Sequence, residues 1–442
     1  MKVRVIELQS VKLIIIFMKI IFIRIISRKI DVERIKKGGP WVLVYGRRKT
    51  GKTFLVSNFL SFDRFFFVNR DSTVRDVRSM ELYSFEEFLK VFREILGRES
   101  VVIDEFHRLP GSFLDFLHSV GVKGRLVLIT STLWLAKRML GRGSPLLGLV
   151  TPVRIGLIDE REIVVELSKE LSGRELVEAS TYLREVTLIP LYDGSVRELL
   201  VNYLAENSMV IRGMVGEIFT EEDKELTNVY EGIMKAVADG RNVSGEISTL
   251  LFSRGVLAKD NPGVLQRYLS ILVEIGVLER VKVYGKKRFK YFHRSPLLDL
   301  HYYLEENYSY TEVYTPREFI RKVIDEKVPI HVQWFLKDLL VKALGLQHNI
   351  IEERGLEVDI ALLRFKRLEV VAEVKWRRFV PRSEVRKVED KLSRFKCRKI
   401  LFVPDESVLE REPEGDIEVW GVNEILSLAR ESLGNANAYL SM

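Results

Sequence analysis

From residue 41 onward, short and continuously apolar runs alternate with stretches in which apolar residues recur every three or four positions. The runs 42–45, 65–68, 101–103, 126–130 and 153–156 are too short for helices, and apart from Arg154 in the last they carry no charge, as expected of strands buried on both faces. Between them, 54–60, 84–96 and 133–140 carry helical spacing, and Ser84 and Glu87 form a capping box at the start of the second. Strands alternating with helices predict a parallel sheet covered on both sides, within a first block of about 18–160.

The pattern then changes. Residues 161–222 read as helical, with many charges and no strand signal. Within 223–300, helices are expected over 228–239, 243–251 and 262–275, the first ended by Gly240 and the last by Gly276. Strands over 277–283 and 288–293 close this unit around the turn Tyr284-Gly285-Lys286-Lys287. Three helices and a hairpin make a winged helix. From Arg280 to Arg294 the hairpin carries Arg280, Lys282, Lys286, Lys287, Arg288, Lys290 and Arg294 and no acid. Residues 301–330 read as a linker. The last unit, 331–442, has a helix at 332–344, strands near 350–353, 358–364 and 368–375, a charged helix at 383–395, a strand at 399–403 and a helix at 423–431.

A chain of 442 residues is expected to hold two to four domains. Its 47% hydrophobic and 30% charged residues fit soluble cores, and a net charge of +8 favours an acidic partner, nucleic acid first. A single cysteine, Cys397, excludes an internal disulfide and fits a reducing cytoplasm. The apolar segment 13–26 is interrupted by Lys19 and Arg24 and preceded by Lys12. A span needs about 20 apolar residues, and a charge near its centre costs roughly 2.5–3.5 kcal/mol. No membrane anchor or signal peptide is expected. Residues 20–26 read as a strand-like lead-in, and Met18 as the start, with 1–17 an upstream extension.

Gly46-Arg47-Arg48-Lys49-Thr50-Gly51-Lys52-Thr53 is a complete G-x-x-x-x-G-K-[ST] phosphate loop between an apolar strand and a helix. That context turns backbone N–H groups and a helix N-terminus toward phosphate oxygens. Lys52 is expected at the outer phosphates of ATP and the Thr53 hydroxyl on Mg²⁺. About fifty residues on, Val101-Val102-Ile103-Asp104-Glu105 delivers two acids to the end of a buried strand. Asp104 is expected to hold Mg²⁺, largely through water, and Glu105 to polarise the attacking water. The run 126–130 ends in Thr130 and Ser131; either suits a γ-phosphate sensor, and equally a helix cap.

In the last unit Asp359 is read in one strand, with Glu373 and Lys375 in the next. Residues two apart on a strand share a face, so the spacing resembles the core of the PD-(D/E)xK nucleases. That likeness implies a Mg²⁺ held by Asp359 and Glu373, with Lys375 orienting the nucleophile. In that superfamily the first helix often carries a further acid; Gln333, Trp334, Phe335 and Lys337 stand there instead. Trp376, Arg377, Arg378 and Arg382 read as a basic patch for a phosphate backbone.

Residues 45–53, the Ile103-Asp104-Glu105-Phe106 step, Ser144-Pro145-Leu146-Leu147-Gly148 and Gly276-Val277-Leu278-Glu279-Arg280 resemble the archaeal ATPases, STAND-like relatives of the AAA+ proteins. The likeness covers about 18–430. It implies an additional-strand P-loop ATPase domain, then helical, winged-helix and restriction-endonuclease-like domains, the last labelled a domain of unknown function in the family. Leu149 stands where the family has an arginine, and Leu188-Ile189-Pro190 is a reduced form of its glycine-glycine-x-proline motif. Arg142 and Arg154 are the alternatives for a charge-neutralising arginine. The reading is an ATP- and Mg²⁺-dependent ATPase contacting DNA through its C-terminal units. The alternatives are a non-hydrolysing nucleotide-switched regulator and an ATP-gated metal-dependent nuclease.

Overall fold

A computed structural model describes residues 26–131, 144, 146–219, 224–353 and 356–440. The extension 1–17, most of the lead-in 20–26, the helix expected over 133–140, and Arg142 and Pro145 lie outside the described residues.

The first block contains α1 (Lys29–Lys37), β1 (Trp41–Tyr45), α2 (Lys52–Phe59), β2 (Arg64–Val68), β3 (Val74–Asp76), β4 (Leu82–Tyr83), α3 (Phe85–Ile95), β5 (Val101–Asp104), α4 (Ser112–Val120), β6 (Leu126–Thr130) and β7 (Thr151–Arg154). Its seven-stranded sheet runs β4-β3-β2-β5-β6-β1-β7. The five strands from β2 to β7 in that order are mutually parallel, and β3 and β4 extend the sheet antiparallel. β6 lies between β1 and β5, so the strand carrying the acids is one strand removed from the strand feeding the phosphate loop. Alternation along β1 sends Trp41 and Leu43 into the core under α3 and α4, and Val42 and Val44 into the core under α1 and α2. The capping box at Ser84 and Glu87 is formed. The strand expected over 153–156 lies two residues earlier, where β7 pairs with β1.

The remainder comprises α5 (Glu160–Leu167), α6 (Gly173–Tyr182), α7 (Val196–Phe219), α8 (Lys224–Ala238), α9 (Ser244–Ser253), α10 (Pro262–Ile275), β8 (Leu278–Val283), β9 (Phe289–His293), α11 (Pro296–Tyr308), α12 (Arg317–Leu344), β10 (Gln347–Ile350), β11 (Glu352–Glu353), β12 (Leu356–Glu357), β13 (Ile360–Arg364), β14 (Arg367–Val374), α13 (Arg382–Leu392), β15 (Arg398–Phe402), β16 (Ile417–Trp420) and α14 (Val422–Leu440). Residues 301–330, expected as a linker, are largely helical. α11 buries Leu297, Leu300 and Leu304, and α12 starts at Arg317 and runs through Pro329. A second seven-stranded sheet has the order β16-β15-β14-β13-β10-β8-β9. The hairpin β8–β9 is thus not a free wing: β8 pairs in parallel with β10, through Asn349 opposite Lys282 and Ile350 opposite Val283. One apolar core runs from Ile158 through α6, α7, α10 and α12 to Ala429 on α14. Among the described residues no helix is long and apolar enough to cross a membrane.

Candidate functional site

The phosphate loop joins the end of β1 to α2, and its shape follows from close approaches. A side chain on Gly46 would stand 2.0 Å from the Ile155 carbonyl oxygen, which only a glycine permits. Gly51, at φ 80°, caps α2 in the left-handed region, and a Cβ there would meet Val186. Lys49 also has a positive φ, at 62°. The Thr50 hydroxyl donates to the Arg47 carbonyl at 2.9 Å, and Arg28 holds the loop from outside by donating to the Thr50 carbonyl at 2.7 Å.

Lys52 is buried, and its Nζ donates to the carbonyls of Gly46 at 2.8 Å and Arg47 at 2.9 Å. Burial pushes the ammonium down to about 8, against the pull of Glu105 and Asp104 and with a push from Arg47 and Arg48. The Thr53 hydroxyl donates to Asp104 Oδ2 at 2.6 Å. Asp104 is raised to about 6, mainly by burial and against the Thr53 hydrogen bond. Two adjacent oxygen donors suit Mg²⁺, which prefers hard oxygen ligands and keeps several waters. The residues present therefore fit the ion that the loop implies.

Glu105 directly follows β5 with a left-handed backbone, φ 53°. For a glutamate this costs on the order of 1–3 kcal/mol, and such outliers cluster at functional sites. Its carboxylate accepts from the Ser131 hydroxyl at 3.1 and 3.0 Å and lies 3.4 Å from His107 Nδ1. Burial lowers His107 to about 4, so the imidazole is neutral at pH 7. Thr130, offered as a phosphate sensor, is fully buried with its hydroxyl 3.0 Å from His107 Nδ1; Ser131 is the one of the two that touches Glu105. Arg154 lies against the C-terminal half: a side chain on Gly276 would stand 1.1 Å from its Nη2.

Sequence reasoning missed the partner of Arg47. Its buried guanidinium forms a two-oxygen ion pair with buried Glu185, 138 positions away, with Nη2 2.5 Å from Oε2. Glu185 Oε1 also accepts from the Ser295 hydroxyl at 2.5 Å. No local pattern marks Glu185, because it lies in the turn after α6.

In the last unit, Asp359, read within a strand, lies in the turn between β12 and β13. It does meet Glu373. The Asp359 N–H donates to Glu373 Oε1 at 3.3 Å, and the Val374 N–H donates to Asp359 Oδ2 at 2.8 Å. Burial and the Glu373 charge raise the Asp359 carboxyl. Glu373 has no exposed surface and accepts from Lys375 at 3.2 Å and from Lys391 at 2.8 Å. Gln333 occupies the helix position beside Asp359, donating to its carbonyl at 3.0 Å. No group of three or more His, Cys, Asp or Glu able to hold a metal occurs among the described residues. Trp376 is no part of an exposed patch: it is buried, and its Nε1 donates to Glu178 on α6 at 3.0 Å. Arg377 pairs with Glu384 at 2.5 Å. In the hairpin, Lys286, Arg288 and Lys290 all converge on Glu352, with Lys290 at 3.1 Å and Lys286 at 3.9 Å.

Residues 39–144 match the family model described as an AAA domain. No curated protein matches the chain. Among solved structures, a Walker-type ATPase of Pyrococcus abyssi is similar at 15% identity and a TM-score of 0.45, over 63% of this chain and 96% of that one. The ORC2 protein of Aeropyrum pernix, in ADPNP–ADP complexes, is similar at 12% identity and a TM-score of 0.34, over 68% and 92%. The ORC1 protein of Aeropyrum pernix, in complex with DNA, is similar at 16% identity and a TM-score of 0.29, over 66% and 95%.

Proposed function

We propose that the protein binds and hydrolyses ATP with Mg²⁺, and that its C-terminal units contact DNA. The observation that carries the first part is the 2.6 Å contact between Thr53 and Asp104, with Glu105 beside it held by Ser131. When bound, Mg²⁺ would supply neutralising charge for the nucleotide phosphates. Thr53 and Asp104 would hold it. Lys52 supplies positive charge from the loop, and the loop N–H groups bind phosphate oxygens. Glu105, oriented by Ser131, takes the proton of the attacking water. The AAA-domain match over 39–144 supports this reading. Phosphate release by purified protein, with and without DNA, tests it.

A specific observation favours a second reading, in which ATP acts as a switch ligand. Arg47 of the loop is tied to Glu185 outside the sheet domain, so occupancy and domain packing share a residue. Binding without turnover would select it. Cleavage by the Asp359–Glu373 pair is the weaker expectation, because two lysines already neutralise Glu373 and Gln333 replaces an acid. For DNA, the basic hairpin at Lys286–Arg288 and the exposed Arg378 are the proposed contacts.

A further inference from the structure

A chain of three side chains leads from the phosphate loop out of the sheet domain. Arg47 donates to Glu185 Oε2 at 2.5 Å. Glu185 Oε1 accepts from the Ser295 hydroxyl at 2.5 Å. The same hydroxyl accepts the Leu298 N–H at 3.3 Å and so caps α11. All three side chains are buried. Glu185 is thus a hinge of charge between the loop and the segment that follows the β8–β9 hairpin.

The pairing is incomplete on the loop side. Arg47 Nη1 is buried and has no hydrogen-bond partner among the described residues. Arg47 lines a cleft with Arg154, Arg184 and Arg294 and with the carboxylates Asp31, Asp159 and Asp338. The Arg47 charge already helps to depress the Lys52 ammonium, which places it within the field of the phosphate site. A buried guanidinium with one free donor and one carboxylate partner is poised to exchange partners when a multiply charged anion arrives, because both compete for the same cation.

We propose that Glu185 is a positioning residue that carries the nucleotide state from Arg47 to Ser295. With the phosphates of ATP at the loop, Arg47 turns toward them and loosens from Glu185; Glu185 then holds Ser295 alone, and the cap of α11 changes strength. The reduced Leu188-Ile189-Pro190 segment lies just beyond this residue, and Val186 already packs near Gly51. The coupling therefore enters the helical region at Glu185 itself. This inference rests on the nucleotide-binding reading of the same loop.

The test is hydrogen exchange of the full-length protein with and without ATP and Mg²⁺, together with ATP affinity. In the parent, ATP should change exchange of the Leu298 amide. In Glu185→Gln, ATP should bind more tightly, within the 5- to 150-fold range of ordinary site-to-site coupling, and the Leu298 amide should no longer respond. Ser295→Ala, a milder change, should still bind ATP, with an affinity shift smaller than that of Glu185→Gln, and also lose the response. Parental binding with an unresponsive Leu298 amide overturns the relay and leaves nucleotide binding intact. A parent that does not bind ATP overturns both. A response that survives in Ser295→Ala and Glu185→Gln assigns the coupling to another route and overturns the proposal.

Discussion

The Thr53 hydroxyl and the Asp104 carboxylate meet at 2.6 Å across 51 positions of sequence. Two strands of one parallel sheet bring them together, since β1 and β5 both flank β6 and end at the same rim. Asp104 is nonetheless buried, and its carboxyl is raised to about 6. Its folded value lies above its unfolded value of 3.8, so ionisation favours the unfolded chain. The penalty is absent below about pH 4, grows between 4 and 6, and is complete above 6. Asp104→Asn should therefore stabilise the nucleotide-free protein at pH 8 by on the order of 2–3 kcal/mol, with the gain gone near pH 4. Denaturant melts across this range check it; a pH-independent difference would contradict it. The same carboxyl must lose its proton to hold Mg²⁺, so Mg²⁺-dependent ATP affinity should fall below about pH 6.

Lys52→Ala should weaken ATP binding by roughly 100-fold or more, since charge-assisted bonds contribute about 1.5–3 kcal/mol each. The fold should persist, because among the described residues the side chain bonds to its own loop carbonyls. The ammonium is lowered to about 8, so above that pH binding must first take up a proton and affinity should decline. Equilibrium binding of a fluorescent ATP analogue from pH 6 to 9 measures both. Unchanged affinity in the variant would remove the phosphate loop from nucleotide binding.

Glu105→Gln should retain ATP and lose turnover by roughly 10²- to 10⁴-fold, the usual weight of a general base. The amide can still accept from Ser131, so the strained backbone at Glu105 keeps its support. Parental turnover in this variant would place the base elsewhere.

The parts of this architecture legible in the sequence were those carried by local pattern. β1, β5 and β6 are continuously apolar because helices cover both faces, and β6 falls where its run does. The short β16 escaped because Ile417-Glu418-Val419-Trp420 sits on the sheet edge with polar neighbours. α12 was expected only over 332–344; it continues N-terminally through Pro329, a residue that normally breaks a helix interior. Trp376 reads as exposed from its arginine neighbours, yet its direction is set by Glu178, 198 positions away. The same holds for Arg47, whose role in the loop is decided by Glu185. Spacing fixes which residues share a face, and packing of distant segments fixes what that face meets.

The hairpin result changes the expectation for DNA binding. Three cations sit on Glu352, and Lys287 is left exposed at the tip. Glu352→Gln should strengthen DNA binding and steepen its log–log salt slope by about one per phosphate contact released. Replacing Lys286, Lys287 and Arg288 by Ala should weaken binding and flatten the slope. Equal affinity in all three proteins would assign the hairpin to packing against β10 and β11 alone.

The acid pair of the last unit is expected not to cleave DNA. Glu373 accepts from Lys375 and Lys391, so a metal ion would have to displace two lysines from a side chain with no exposed surface. Asp359 spends one oxygen on the Val374 N–H, and Gln333 offers an amide where an acid would complete the set. The pair then has a structural task. Glu373→Ala should destabilise the protein by about 3–5 kcal/mol, because it leaves two cations without their partner. Glu373→Gln should cost less, since the amide oxygen still accepts from one lysine. Neither variant should change ATP affinity, as the site lies on the other sheet. Supercoiled plasmid with Mg²⁺ or Mn²⁺ is the direct check. Nicking by the parent that is lost in both Asp359→Ala and Glu373→Gln would make this an active nuclease and overturn the expectation. Nicking that survives Asp359→Ala would place the activity elsewhere.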